Sequence, residues 1–186
     1  MPACDDITLG IIAGGRATRL GGVDKAWAIY NEQPLVERTL RAMGDGFAAR
    51  LVSANRHSDR YSAVGLQAIP DRVAGFPGPL AGLDALLLAC TAPWLLTVPV
   101  DLRDIPVDLV ARMQAAGDGG AVAVDADGLQ PLIALWPVVR ARTAAAAALA
   151  RGDRAVHRIV KELGLSIVRF DDADFGNLNT PGDFLA

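Results

Sequence analysis

The strongest constraint on this chain is a set of short, mostly apolar runs: "ITLGIIA" (7–13), "PWLLTVPVD" (93–101), "GAVAVDA" (120–126) and "QPLIALW" (130–136). A strand with one wet face alternates apolar and polar residues. These runs do not, so both of their faces must be covered. Shorter runs at 49–55, 66–71 and 165–170 read as further strands. Helix-type segments separate them. Pro34 suits the first turn of a helix through Met43, closed by Gly44 and Gly46. Others are expected from a start within the turn-rich 74–82 to about Cys90, over 107–116, over the alanine-rich 140–150 and over 155–163. Asp127-Gly128 reads as a turn between two strands. The alternation predicts an α/β protein. Its form is a three-layer α/β/α Rossmann-like architecture, with a mostly parallel sheet and helices on both faces. The chain of 186 residues shows no linker or repeat and suits a single domain, 1–186.

Composition narrows the function classes. A formal net charge of −3 provides no general basic field for nucleic acid, so any anion site must be local. The apolar stretch from Leu83 to Val100 is interrupted by Asp84, Pro93 and Pro99. It reads as a buried helix entering a buried strand, since a membrane span needs about 20 predominantly apolar residues. Cys4 and Cys90 are the only cysteines and form no metal-type pair. With acids where a signal peptide carries cations, they point to a reduced, cytoplasmic setting. His57 and His157 form no constellation with a third ligand or base.

The local anion site has an obvious candidate. "IIAGGRATRLGGVDK" (11–25) packs four glycines, three cationic side chains and one aspartate into fifteen residues. Gly14, Gly15, Gly21 and Gly22 leave backbone N–H groups unshielded, and successive exposed N–H groups form an anion-binding concavity. Arg16, Arg19 and Lys25 add charge-assisted donors, a combination suited to a polyphosphate. Two familiar phosphate motifs are absent. Lys25 follows Asp24 and precedes Ala26, which breaks G-x-x-x-x-G-K-[ST]. Gly14 and Gly15 are adjacent, which breaks G-x-G-x-x-G. A solvated surface loop is the plain alternative for the glycines taken alone. In open parallel sheets ligands bind beyond the carboxyl ends of the strands. The loop, Asp71 and Asp101 all follow such ends.

"AGGRATRLGGVDK" resembles the signature loop of sugar-nucleotide-type nucleotidyltransferases. Its second glycine doublet and Asp-Lys pair resemble one branch, the molybdenum cofactor guanylyltransferases of the MobA type. "QPLVER", "SANRH", "FPGPLAGL", "PVDLRDIP" and "GNLNTPGDF" continue the likeness along nearly the whole chain. The resemblance implies transfer of GMP from GTP to molybdopterin-bound molybdenum, with release of pyrophosphate and dependence on Mg²⁺. It implies catalytic roles for Arg19, Lys25 and Asp101, with Asp101 as the metal ligand. Ile12, Ala13, Gly14, Gly15, Lys25, Ser53, Asp71, Gly78, Pro79 and Asp101 would contact the nucleotide. Asn177 and Asn179 would face the pterin acceptor. GTP and the molybdopterin cofactor are then substrates, with transient contacts to molybdoenzymes or their chaperones. Simpler roles exist for several of these residues: a turn for Asp71 and for Gly78-Pro79, and a helix cap for Asn177, Asn179 and Thr180.

The match departs at several positions. Ser53 stands where the branch usually has asparagine, and a hydroxyl lacks the paired donor and acceptor of an amide. Val100 replaces a cysteine, Gln130 a histidine, and Arg103-Asp104 a smaller pair. Guanine selectivity is therefore less secured than nucleotidyl transfer. A cytidylyltransferase, a sugar-phosphate nucleotidyltransferase and a non-catalytic nucleotide-binding regulator are the alternatives.

Overall fold

In the computed structural model, which describes residues 2–13, 24–72, 78–178 and 181–184, the apolar runs lie side by side in one seven-stranded sheet. Its strands are β1 (Ile7–Ile12), β4 (Ala49–Ser53), β5 (Gln67–Ile69), β6 (Trp94–Pro99), β7 (Ala121–Asp125), β8 (Gly128–Pro137) and β9 (Ser166–Arg169). The order is β5-β4-β1-β6-β8-β7-β9. Only β8 runs against the rest; the β1, β4, β5, β6 block is parallel, and β7 pairs parallel with β9. β2 (Ile29–Tyr30) and β3 (Gln33–Pro34) form a separate two-stranded hairpin.

All six residues of β1 are buried, because the sheet is covered on both faces. One face packs Ile7, Leu9 and Ile11 with α1 (Leu35–Met43), α2 (Ser58–Ser62) and α4 (Leu109–Ala115). The other packs Leu51, Leu95 and Trp136 with α3 (Pro79–Ala89), α5 (Val138–Ala150) and α6 (Val156–Leu163). Two apolar layers around one sheet are the physical content of the three-layer architecture. Helix α3 is apolar nearly all round because it is buried from Leu80 to Leu87. It sits close to the sheet at Gly10, where a Cβ would lie 2.9 Å from Leu95 Cδ1 and 3.2 Å from Leu86 Cδ1. Among the described residues no helix is long and apolar enough to cross a membrane.

The antiparallel pairing of β6 with β8 runs from Trp94↔Pro137 to Thr97↔Ala134. Pro99, two residues on, has no N–H to extend that ladder. Trp136 Nε1 donates to the buried Thr97 Oγ1 at 2.8 Å near the end of the pairing. Beyond it the segment 174–178 lies beside 101–104. Asp104 N donates to Asp174 O (3.1 Å), Arg103 N to Gly176 O (2.7 Å) and Leu178 N to Asp101 O (2.8 Å), with Leu102 and Asn177 bridged antiparallel.

Candidate functional site

Four strand ends form one row across the sheet. Ile12 stands opposite Ser53 on one side and Pro99 on the other, and Ser53 stands opposite Ile69. The expected site residues leave from this row. Ala13 follows Ile12, Asp71 follows Ile69 by two positions, and Asp101 follows Pro99 by two. Val100 N donates to Ile12 O at 3.1 Å, which carries the β1–β6 pairing to the residue before Asp101. Asp71 and Asp101 therefore flank β4 and β1, separated by three strand spacings, about 14 Å.

Lys25 begins a 3₁₀ turn, Lys25–Trp27, and its Nζ contacts Asp101 Oδ2 across 76 residues of sequence. Both side chains are about four-fifths buried, at 22% and 17% exposure. The pair is a charge-assisted hydrogen bond in a partly screened place, stronger than an exposed ion pair. Asp101 itself is fixed by its neighbours. Arg38 Nη1 donates to Leu102 O at 2.6 Å, Arg38 also donates to Arg103 O, and Leu178 N holds Asp101 O.

At the other end of the row, Asn55 and Asp71 hold each other. Asn55 Nδ2 donates to Asp71 Oδ2 at 2.9 Å, and Asp71 N donates to Asn55 Oδ1 at 2.8 Å. Ser53, two residues before Asn55, is buried, and its Oγ has no hydrogen-bond partner among the described residues. Gly82 in α3 lies against it; a Cβ there would be 2.6 Å from Ser53 Oγ and 4.0 Å from Asp71 Oδ1. Gly78 caps α3 at φ 147° and Pro79 opens the helix. A Cβ on Gly78 would be 4.0 Å from Arg154 O, so the segment before α6 borders the same helix start.

Asn177 is exposed and lies beside Leu102, one residue from Asp101. Arg103 ties the same strip together: Nη1 reaches Asp174 Oδ2 at 2.8 Å and Nη2 reaches Asp183 Oδ1 at 3.8 Å. The Gly176 N–H and the Arg103 guanidinium together hold the Asp174 carboxyl below its usual pKa. Gln130 donates to the buried Asp125 at 3.0 Å, whose other oxygen accepts from Phe175 N at 3.1 Å. The hairpin β7–β8 is thereby joined to the strip that carries Asn177.

The structure thus gathers Ile12, Ala13, Lys25, Ser53, Asp71, Asp101 and Asn177 at one rim, with Gly78 and Pro79 at the adjoining helix start. Arg19, Gly14, Gly15 and Asn179, with Arg16, Gly21 and Gly22, lie outside the described residues. Sequence reasoning missed Asn55 as the clamp on Asp71. The signal was present in "SANRH", where the asparagine follows a strand by two positions.

A mostly parallel sheet with a lysine–carboxylate contact at its carboxyl rim is the arrangement of an α/β nucleotidyltransferase domain, and the family match assigns the chain to that class. The solved structure of molybdopterin-guanine dinucleotide biosynthesis protein A from Archaeoglobus fulgidus has this fold, with TM-score 0.71 and 18% identity over 96% of this chain and 95% of that one. Residues 9–167 match the family described as the MobA-like NTP transferase domain, and the chain belongs to that family. The chain is 37% identical over 186 residues to the molybdenum cofactor guanylyltransferase of Polynucleobacter asymbioticus, covering 95% of this chain and 93% of that protein. It is 38% identical over 190 residues to the enzyme of the same name from Cupriavidus necator, covering 97% and 95%.

Proposed function

We propose that this protein transfers GMP from GTP to the molybdopterin-bound molybdenum cofactor. In this reaction a terminal phosphate oxygen of the pterin attacks the α-phosphorus of GTP. The new P–O bond forms as the bond to the β-phosphate breaks, and pyrophosphate leaves with the electron pair. The acceptor is already an ionised phosphate, so no nucleophilic side chain is required. Catalysis is then positioning plus stabilisation of negative charge. The observation that carries this reading is the contact between Lys25 and Asp101 at the rim where β1 and β6 end. Lys25 and Arg19 would neutralise phosphate oxygens, and the backbone of Ile12 to Gly15 would line the nucleotide pocket. Ser53, Asp71, Gly78 and Pro79 would hold the nucleoside. Asn177 and Asn179 would receive the acceptor.

Asp101 fits a divalent-metal role: it is a hard oxygen donor on a rigid strand end, with one oxygen engaged by Lys25. Among the described residues no three His, Cys, Asp or Glu side chains are grouped as a metal cage would group them. One carboxylate supplemented by substrate phosphates and water is the coordination Mg²⁺ accepts. When bound, Mg²⁺ would neutralise charge on the triphosphate. Asp101 would hold it, and Lys25 would be released to the phosphates. We further propose a cytoplasmic enzyme, with free Cys4 and Cys90 in support, acting as one domain over 1–186 and handing its product to molybdoenzymes or their chaperones.

The test is incubation with molybdenum-loaded pterin, Mg²⁺ and each of the four nucleoside triphosphates, reading pyrophosphate and dinucleotide product. GTP-dependent product is expected, and Asp101→Ala is expected to lower the rate by about 10²–10³-fold with an unchanged circular dichroism spectrum. Serine at position 53 lacks the paired donor and acceptor of the amide usual there, and this favours testing CTP as the second nucleotide. Preference for CTP would overturn the guanine assignment. Binding of GTP with no transfer to any acceptor would overturn the enzymatic one.

A further inference from the structure

Helix α2 contributes one fully buried side chain, Tyr61, which has no place in the chemistry above. Its ring lies against Trp27, with centroids 5.3 Å apart and planes at 45°. Its hydroxyl donates to Asp24 Oδ2 at 2.8 Å. The other oxygen, Asp24 Oδ1, accepts from Ala26 N at 3.2 Å. Asp24 is thus held at both oxygens, between a buried phenol and the first turn of the segment that starts with Lys25. Burial first, and then the Asp24 carboxylate, push the phenol pKa up, so the hydroxyl stays a donor at any working pH.

The turn needs this support. Among the described residues its backbone bonds are Trp27 N to Asp24 O at 3.0 Å and Ala28 N to Lys25 O at 3.1 Å. Short 3₁₀ turns have poor hydrogen-bond geometry and rarely stand alone. A free aspartate at the cap would choose among staggered rotamers. With Tyr61 in place both of its oxygens are engaged. Trp27 is fixed as well, with Arg60 stacked at 3.9 Å from its ring centroid.

We infer that Tyr61 is a positioning residue: through Asp24 its hydroxyl fixes the turn that aims Lys25 at Asp101 and the triphosphate. This rests on the phosphate-binding role proposed for Lys25. The chain of contacts runs from the core of α2 to the reacting rim, Tyr61 to Asp24 to Lys25 to Asp101.

A double-mutant cycle tests it. Tyr61→Phe, which keeps the ring and removes the hydroxyl, is made in the native background and in Lys25→Ala. Asp24→Ala is carried through the same cycle as a second variant. Equilibrium binding of GTP with Mg²⁺ and the split between kcat and KM are measured alongside the melting temperature. If the hydroxyl acts through Lys25, Tyr61→Phe weakens GTP binding or lowers kcat/KM about tenfold in the native background. In the Lys25→Ala background the effect falls below about twofold. A purely structural tyrosine would give equal losses in both backgrounds, and that result overturns the inference; so does no loss in the native background. Failure of the native protein to bind GTP would instead overturn the proposed function.

Discussion

Ser53 and Gly82 press against each other where β4 ends under α3, and the contact makes a quantitative cycle. Ala at position 82 gains helix propensity, about 1 kcal/mol relative to glycine. Its methyl would meet Ser53 Oγ at 2.6 Å and Ser53 Cβ at 3.2 Å. The first distance is shorter than real Cβ contacts, and overpacking of this kind costs about 1–3 kcal/mol. Gly82→Ala is therefore expected to lose about 1 kcal/mol net. Ser53→Ala removes a buried hydroxyl that has no partner among the described residues, and is expected to gain about 1 kcal/mol. In the double variant the 2.6 Å contact is gone, and only the milder Cβ contact remains to be absorbed. The helix gain is then retained, and the double variant should exceed the sum of the singles by about 1–2 kcal/mol. Urea unfolding of the four proteins without nucleotide measures this directly. Additivity to within about 0.5 kcal/mol would show that the two residues do not compete for space, and the packing argument would fail.

Asp84 gives a pH-dependent expectation. It is buried in α3, and that burial raises its carboxyl pKa, opposed by the charge of Arg72. A folded pKa above the unfolded one means stability that is present at low pH and lost as pH rises through the folded value. Asp84→Asn should therefore melt above the native protein near pH 8, and the difference should shrink as pH falls into the carboxylate range. A native protein that is the more stable at pH 8 would contradict this. Asn55→Ala removes both hydrogen bonds that orient Asp71. It should cost about 1 kcal/mol in urea unfolding and raise the KM for nucleotide more than it lowers kcat. An unchanged KM would separate Asp71 from nucleotide binding.

Much of the scaffold is legible because its signals are local. The mostly apolar runs gave β1, β6, β7 and β8 to within two residues, since a strand covered on both faces leaves no alternation to misread. The carboxylates at 71 and 101 were visible as acids closing such runs, and the expected convergence of Lys25 on Asp101 is a contact in the structure. The misses share a cause. The hairpin β2–β3 has two residues in each strand, and α2 has five, too few to show a period. Tyr61 sits in the polar run 55–63 and is buried only because Trp27 and Asp24 come to it from a distant part of the chain. The turn between β7 and β8 falls on Ala126-Asp127 rather than Asp127-Gly128. Asp125 pairs with Gly128, and Asp125 Oδ1 also accepts from Asp127 N.

The parting of β6 from β8 after Thr97 gives the molecule a seam, closed by the strip 174–178 acting as a wedge. On one bank stand the strand ends and Lys25; on the other, the 125–130 hairpin and Asn177. Because the wedge also holds Asp101 through Leu178 N, a substitution that shifts it is felt on both banks at once.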